Sequence, residues 1–437
     1  MRRAELLVLC GAAVLVGAAI VVGRQVDVQA AAAPLYAHWI PHTGPGTVPA
    51  ILIALLVIFA FPRNLPWRSL LAVSYVAAFG WTLSLAMVDG WNHGVATRLT
   101  VDAEYLAALP SAGDIPAMIH GYADRILDFQ PDSWNTQAAG HPPGALLVFA
   151  VLDRVGLSGG VAAALTCIAV GSFAAVAVPS ALRSLGSGEI ARAAVPFVVL
   201  FPGAVWVGVS GDGLFLGVTS VAVALLATGR ALWTVLAGVL FGFAVFLSYG
   251  LVLMAFLAVA VAIAARRWKP LLWASGGALL PVAGFALAGF WWFDGYSLVR
   301  IRYYQGIASL RPYWYWAWAN FAALAFSIGP AGYAALPRLA STNQIRVLGR
   351  IMGQDSTQNP DLPQEKTAPV AILALGALAA IVVADLSGLS KAEVERIWLP
   401  FAIWLPAAAA LLPRPKLWLV AQAATALLVN HLLHTVW

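Results

Sequence analysis

The apolar positions of this chain come in long blocks. They do not alternate as in half-buried strands, nor form the stripes of surface helices. Thirteen blocks predict membrane-spanning helices, near residues 5–23, 47–62, 68–88, 160–182, 190–208, 213–229, 231–247, 250–265, 270–290, 320–336, 369–385, 398–413 and 417–434. Two long polar connections separate them, at 89–140 and 337–368, and a shorter aromatic one occupies 291–319. The 337–368 stretch is polar and interrupted by proline, which predicts a flexible connection. No soluble domain and no short-period repeat is visible, so residues 1–437 read as one integral membrane unit.

Composition agrees. The chain is 61% hydrophobic and 10% charged, with a mean hydropathy of +0.84. A soluble globular domain carries about 25% charged residues. In lipid every backbone group needs an internal partner, which favours an all-α, multi-pass architecture. The net charge of +6 then reflects basic cytoplasmic loops, and no nucleic-acid partner is expected. Cys10 and Cys167 both lie in apolar blocks, so no disulfide or CxxC metal motif is expected. The basic start followed by a block of about nineteen residues fits an uncleaved first span better than a cleaved signal.

The run NTQAAGHPPGALLVFA (135–150) raises a topological question. The apolar stretch after His141-Pro142-Pro143-Gly144 is interrupted by Asp153-Arg154, well short of the ~20 residues that cross a bilayer. Counting basic residues decides its place. If 142–157 lies at the surface and the N-terminus is inside, the cytoplasmic loops hold 16 of the 25 Lys and Arg and 9 lie outside. If it crosses, the split becomes 10 inside and 15 outside of the same 25. The positive-inside rule selects the surface helix, with proline in its first turn. The 89–159 segment is then a large extracytoplasmic loop carrying surface helices. Asp89, Asp102, Glu104, Asp114, Asp124, Asp128 and Asp132 all lie on it, and all seven histidines fall on the outer side or at its edge. No predicted span carries an ionisable residue near its middle, which argues against an ion-coupled carrier.

Five groups of residues can carry chemistry, and this topology puts all five on one side. In Asp102-Ala103-Glu104 one carboxylate can act as a general base, or the pair can hold a divalent cation. The plain alternative is a pair of solvated, helix-capping acids. His141 can contact a phosphate, or HPPG can be only a helix start. Asp212, in Ser210-Gly211-Asp212-Gly213, sits at a tight turn and can face a substrate or merely cap the next span. Arg300, Arg302 and Arg311 stand among Trp and Tyr and can grip a phosphate or snorkel in an interfacial belt. Lys391 and Arg396 lie at the mouth of the 398–413 block, as phosphate ligands or as parts of a salt-bridged helix entry.

This order of elements resembles the GT-C superfamily of polyprenyl-phosphate-sugar-dependent membrane glycosyltransferases, closest to its protein O-mannosyltransferase and aminoarabinose transferase type. The likeness covers roughly 68–230 well and the rest in outline. It implies a GT-C-like core at 68–290, a two-span extension at 1–67, and C-terminal spans at 291–437. It also implies a plasma-membrane enzyme with an extracytoplasmic site. Asp102 or Glu104 takes the family's base position, His141-Pro142-Pro143 its proline motif, and Gly211-Asp212 its turn. The family's adjacent Asp-Glu is here Asp-Ala-Glu, and Gly144 stands where the family has Leu. The implied reaction is an inverting transfer of a mannose- or arabinose-class sugar from a polyprenyl-phosphate donor to a hydroxyl of a glycan, lipid or protein. His141, Arg300, Arg302, Arg311, Lys391 and Arg396 would hold the donor phosphate, and Asp212 would contact the acceptor or orient the base. A flippase for a lipid-linked saccharide and a non-catalytic relative are the competing readings.

Overall fold

A computed structural model describes residues 2–208, 210–339 and 367–436; most of the 337–368 connection lies outside them. Helices dominate, as the apolar blocks predict. Among the described residues six are long and apolar enough to cross a membrane: Arg3–Gln25, Trp67–Asp89, Gly159–Ser184, Lys269–Leu287, Tyr313–Leu339 and Ala368–Leu386. The other seven predicted blocks are also helical but shorter, broken or, for Pro415–Leu432, less apolar.

In chain order the elements begin with α1 (Arg3–Gln25), β1 (Ala37–Trp39), α2 (Thr47–Phe59) and α3 (Trp67–Ala86). The acidic loop then folds into short helices α4 (Tyr105–Ala108), α5 (Ile115–His120) and α6 (Thr136–Gly140), followed by α7 (Pro143–Arg154). Next come α8 (Gly159–Ser172), α9 (Ala174–Ser184), α10 (Gly188–Val199), α11 (Gly211–Ala227), α12 (Ala231–Leu247), α13 (Met254–Ala265) and α14 (Lys269–Leu287). The last part holds α15 (Trp292–Gln305), α16 (Tyr313–Leu339), α17 (Ala368–Leu386), α18 (Val394–Ile397), α19 (Leu399–Ala402), α20 (Trp404–Ala407), α21 (Pro415–Leu432) and β2 (Leu433–Thr435).

Helix α11 is the hub. Its buried residues run all round its circumference, as expected for a helix enclosed by others, and it packs on α8, α9 and α12. Its first turn carries Asp212. Helix α7 is a 12-residue element, about 18 Å long at 1.5 Å per residue. Pro142 is its N-cap and Pro143 its first residue. A Cβ on Gly144 would lie 2.5 Å from the Phe246 carbonyl oxygen, so glycine here lets α7 press against α12.

One expectation needs correction and two gain detail. The 291–319 connection is not an irregular aromatic loop: α15 fills most of it and α16 begins at Tyr313. The 398–413 block is a series of short helical turns, because Pro400 and Pro406 each remove a backbone donor. The 320–336 block is broken at Gly329 (φ 69°), just before Pro330. There the Gln422 amide of α21 repairs the break, donating to the Ile328 carbonyl (2.9 Å) and accepting from Ala331 N–H (3.1 Å). Both cysteines are free thiols.

Candidate functional site

The acidic loop places its two candidate carboxylates differently. Glu104 is the N-cap of α4, in extended conformation, and its side chain makes no cap bond. It is 2% exposed, whereas Asp102 is exposed. The Asn135 amide fixes this segment by donating to the carbonyls of Asp102 (2.8 Å) and Glu104 (2.7 Å). Gln137 N–H adds a bond to the Ala103 carbonyl (2.9 Å), and the Gln137 amide reaches Glu104 Oε1 at 3.4 Å. Glu104 Oε2 is buried without a hydrogen-bond partner. Burial pushes the Glu104 carboxyl up to about 7; Arg396 opposes this and Asp212 adds to it. The carboxyl therefore titrates near neutrality, in the range that suits proton transfer.

Across from it stands a chain of paired charges. Arg396 Nη1 donates to Asp212 Oδ2 at 2.7 Å, and its Nη2 donates to Glu393 Oε2 at 2.5 Å. The other Glu393 oxygen meets Arg311 Nη1 at 2.9 Å. All four side chains are buried. Burial would raise the Glu393 carboxyl, but Arg396 and Arg311 outweigh it and hold it below the usual range. Ala392 and Glu393 both adopt left-handed backbone (φ 67° and 62°), a conformation that costs non-glycine residues energy and recurs at functional sites. That reversal turns Glu393 toward both arginines. Arg311 Nε and Nη2 are buried without hydrogen-bond partners, leaving two nitrogens uncommitted beside the pairs.

His141 completes the group. Its Nδ1 lies 2.9 Å from the Gln137 carbonyl, and its ring packs against Tyr105 and Phe215, each at 5.6 Å between centroids. Burial lowers its pKa, against the pull of Asp212 and the Gln137 carbonyl. Nδ1 carries the proton to that carbonyl, so a neutral ring presents Nε2 as an acceptor.

The remaining expected cations serve other ends. Lys391 Nζ donates to the carbonyls of Ala308 (2.5 Å) and Arg311 (3.1 Å), which pins the segment that carries Glu393. Arg302 pairs with Asp128 and ties α15 to the acidic loop. Arg300 is exposed. Among the described residues no group of three or more His, Cys, Asp or Glu is arranged to hold a metal ion, and Asp102 and Glu104 do not share a burial environment.

Sequence reasoning passed over Glu393, Gln137, Asn135 and Arg98. Asn135 and Gln137 stand directly before HPPG, and polar residues leading into a proline-started helix were the available signal. Arg98 is buried and lies in the field of Glu104 and Asp89. No family model matches the chain, and no curated protein matches it.

Proposed function

We propose that this protein is an inverting GT-C-type glycosyltransferase of the plasma membrane. In this reading about thirteen helices cross or enter the bilayer and the site faces the extracytoplasmic side. It takes a mannose- or arabinose-class sugar from a polyprenyl-phosphate donor to a hydroxyl of a glycan, lipid or protein. The observation that carries the reading is a buried carboxyl that titrates near 7 and has one uncommitted oxygen, grouped with a buried Asp–Arg–Glu–Arg chain.

Each part has a task in that reaction. Glu104 Oε2 takes the proton of the acceptor hydroxyl. The hydroxyl oxygen attacks the anomeric carbon from the face opposite the phosphate. The bond from that carbon to the phosphate oxygen breaks, and polyprenyl phosphate leaves with the electron pair. Arg311, through its uncommitted Nε and Nη2 nitrogens, and Arg396 stabilise the charge that grows on the leaving oxygen. Fixed donors in a dry site do this far better than water, because they need no reorientation as the charge develops. Asp212 and Glu393 hold Arg396 in place between them. Neutral His141 accepts a hydrogen bond from a sugar hydroxyl. The polyprenyl tail lies in membrane lipid along the apolar helices.

The test uses purified protein in liposomes with a labelled polyprenyl-phosphate mannose or arabinose and an acceptor extract. Transfer releases polyprenyl phosphate; a flippase moves the donor between leaflets intact. Glu104→Gln slows release by about 10²–10⁴, and Asp102→Asn leaves it close to wild type. Release by Glu104→Gln at the wild-type rate overturns the assignment.

A further inference from the structure

Five of the seven histidines gather at a place outside this site. Strand β2 pairs antiparallel with β1, with His434 directly opposite His38. The pairing continues where Ile40 N–H donates to the Leu432 carbonyl and His42 N–H to the His431 carbonyl (2.8 Å). The His434 ring stacks on His93 at 4.5 Å and lies 6.0 Å from His42. His42 Nε2 is 2.6 Å from Asp89 Oδ1, and His431 Nε2 is 2.9 Å from the Thr47 hydroxyl. Arg98 closes the group: Nη1 is 3.4 Å from His93 Nε2, and Nη2 donates to the Thr435 hydroxyl (2.6 Å) and carbonyl.

The charge balance is the informative part. The 87–89 turn supplies Asp89, the 92–96 turn His93 and the 98–100 turn Arg98. Strand β1 and its continuation supply His38 and His42, and the end of α21 with β2 supplies His431 and His434. Asp89 is the acid that faces this group, and Arg98 is its permanent cation. With neutral imidazoles these two cancel. Each proton added after that meets Arg98 or another imidazole; among the described residues Asp89 is the acid in contact with the histidines, and Glu104 acts on Arg98.

We propose that the β1–β2 seam is an acid-opened latch, in which protonation of His434, stacked on His93 beside Arg98, releases the 433–435 strand from β1. The sign follows from the environment of His434. Burial lowers its pKa, with Asp89 opposing and Arg98, His93 and His42 reinforcing. The neutral ring is thus the form that the folded seam holds. Its contribution is present above the ordinary imidazole value of 6.5 and is lost as pH falls below it. Opening has consequences on both sides. Thr435 lets go of Arg98, which lies in the field of Glu104. Strand β1 begins beside Tyr36, whose N–H holds Glu395 Oε1 at 3.0 Å, one residue before Arg396. The latch would couple external acidity to both walls of the site whatever reaction that site performs.

The test is hydrogen exchange read by mass spectrometry on the full chain in phosphatidylcholine nanodiscs, at about pH 7.5 and about pH 5, corrected for intrinsic exchange. Peptides over 36–42 and 432–436 should exchange about tenfold faster at the acid pH, a factor equivalent to about 1.4 kcal/mol of opening free energy, while α8 and α11 stay protected. His434→Gln and His93→Gln should each keep the seam closed at the acid pH. Asp89→Asn should open it at higher pH than wild type. Equal protection of the wild-type seam at both pH values overturns the proposal, and so does acid opening that persists unchanged in both histidine variants.

Discussion

Replacing Glu104 with glutamine should make the protein more stable and inactive at once. Glutamine keeps the side chain's shape and can still meet the Gln137 amide, but it carries no charge to desolvate. The folded environment raises the Glu104 carboxyl from 4.5 to about 7, chiefly by burial. The folded state therefore favours the protonated acid, and ionisation costs stability as pH rises from 4.5 toward 7. Above that range the penalty is about 3 kcal/mol, taking ~1.4 kcal/mol for each pK unit over a shift of roughly 2.5. Glu104→Gln removes it. The expected gain is negligible near pH 4, grows through pH 5–7 and levels off above, on the order of a few degrees in unfolding midpoint for a chain of this size. Thermal unfolding followed by tryptophan fluorescence in detergent, at several pH values, reads it directly. The same variant should lose about 10²–10⁴ in transfer rate, the usual worth of a general base. A variant that is less stable than wild type at high pH would refute the reasoning, because Glu104 would then be a structural partner and not an acid held ready at a cost.

Two further substitutions probe the framework. Arg396→Ala strands Asp212 in a buried setting and leaves Glu393 with Arg311 alone, and should cost about 3–5 kcal/mol, measured by unfolding, with Arg396→Lys recovering only part because a single ammonium cannot bridge both carboxylates in the guanidinium's geometry. Gly144→Val should destabilise by about 1–3 kcal/mol or more, since its side chain meets backbone of α12 rather than a movable side chain; near-wild-type unfolding would show that α7 can shift away.

Hydropathy made most of the helices legible because lipid imposes one simple demand on each segment. Where that demand is relaxed, the pattern misled. Residues 291–305 mix Arg, Asp, Trp and Tyr without a clear apolar stripe, and so read as a loop, yet they form α15. That helix is held by contacts remote in sequence: Arg302 to Asp128, and the Tyr303 hydroxyl accepting from Lys391 N–H at 2.9 Å. The 320–336 block read as one unbroken span; it breaks at Gly329, and the glutamine that repairs the break lies 91 residues away from Ala331. The choice between Asp102 and Glu104 was equally hidden. Two positions at the start of a short helix look alike until Asn135 and Gln137, more than thirty residues on, fix one of them inward. Lys391 was expected to meet a phosphate or a carboxylate, but its partners are backbone carbonyls, which no side-chain pattern encodes.

The charge balance of the site makes a last demand on the proposed reaction. Asp212 and Glu393 are matched by Arg396 and Arg311, so Glu104 and Glu395 are the buried acids without an ion-pair partner there, and Glu104 is the one on the acidic loop. A donor phosphate brings further negative charge beside it and draws on the same two arginines. Its carboxyl should therefore be harder to ionise in the donor complex than in the free protein. For an acid that must be ionised to act, the rate falls on the acidic side of its pKa. The acid limb of kcat/KM for the donor reports the free protein and should lie at about 7. The acid limb of kcat reports the complex and should lie at higher pH. Full pH profiles at limiting and saturating donor separate the two. A kcat limb displaced to lower pH would mean that the donor relieves Glu104 and does not load it, and the placement of the phosphate beside Arg311 and Arg396 would fail.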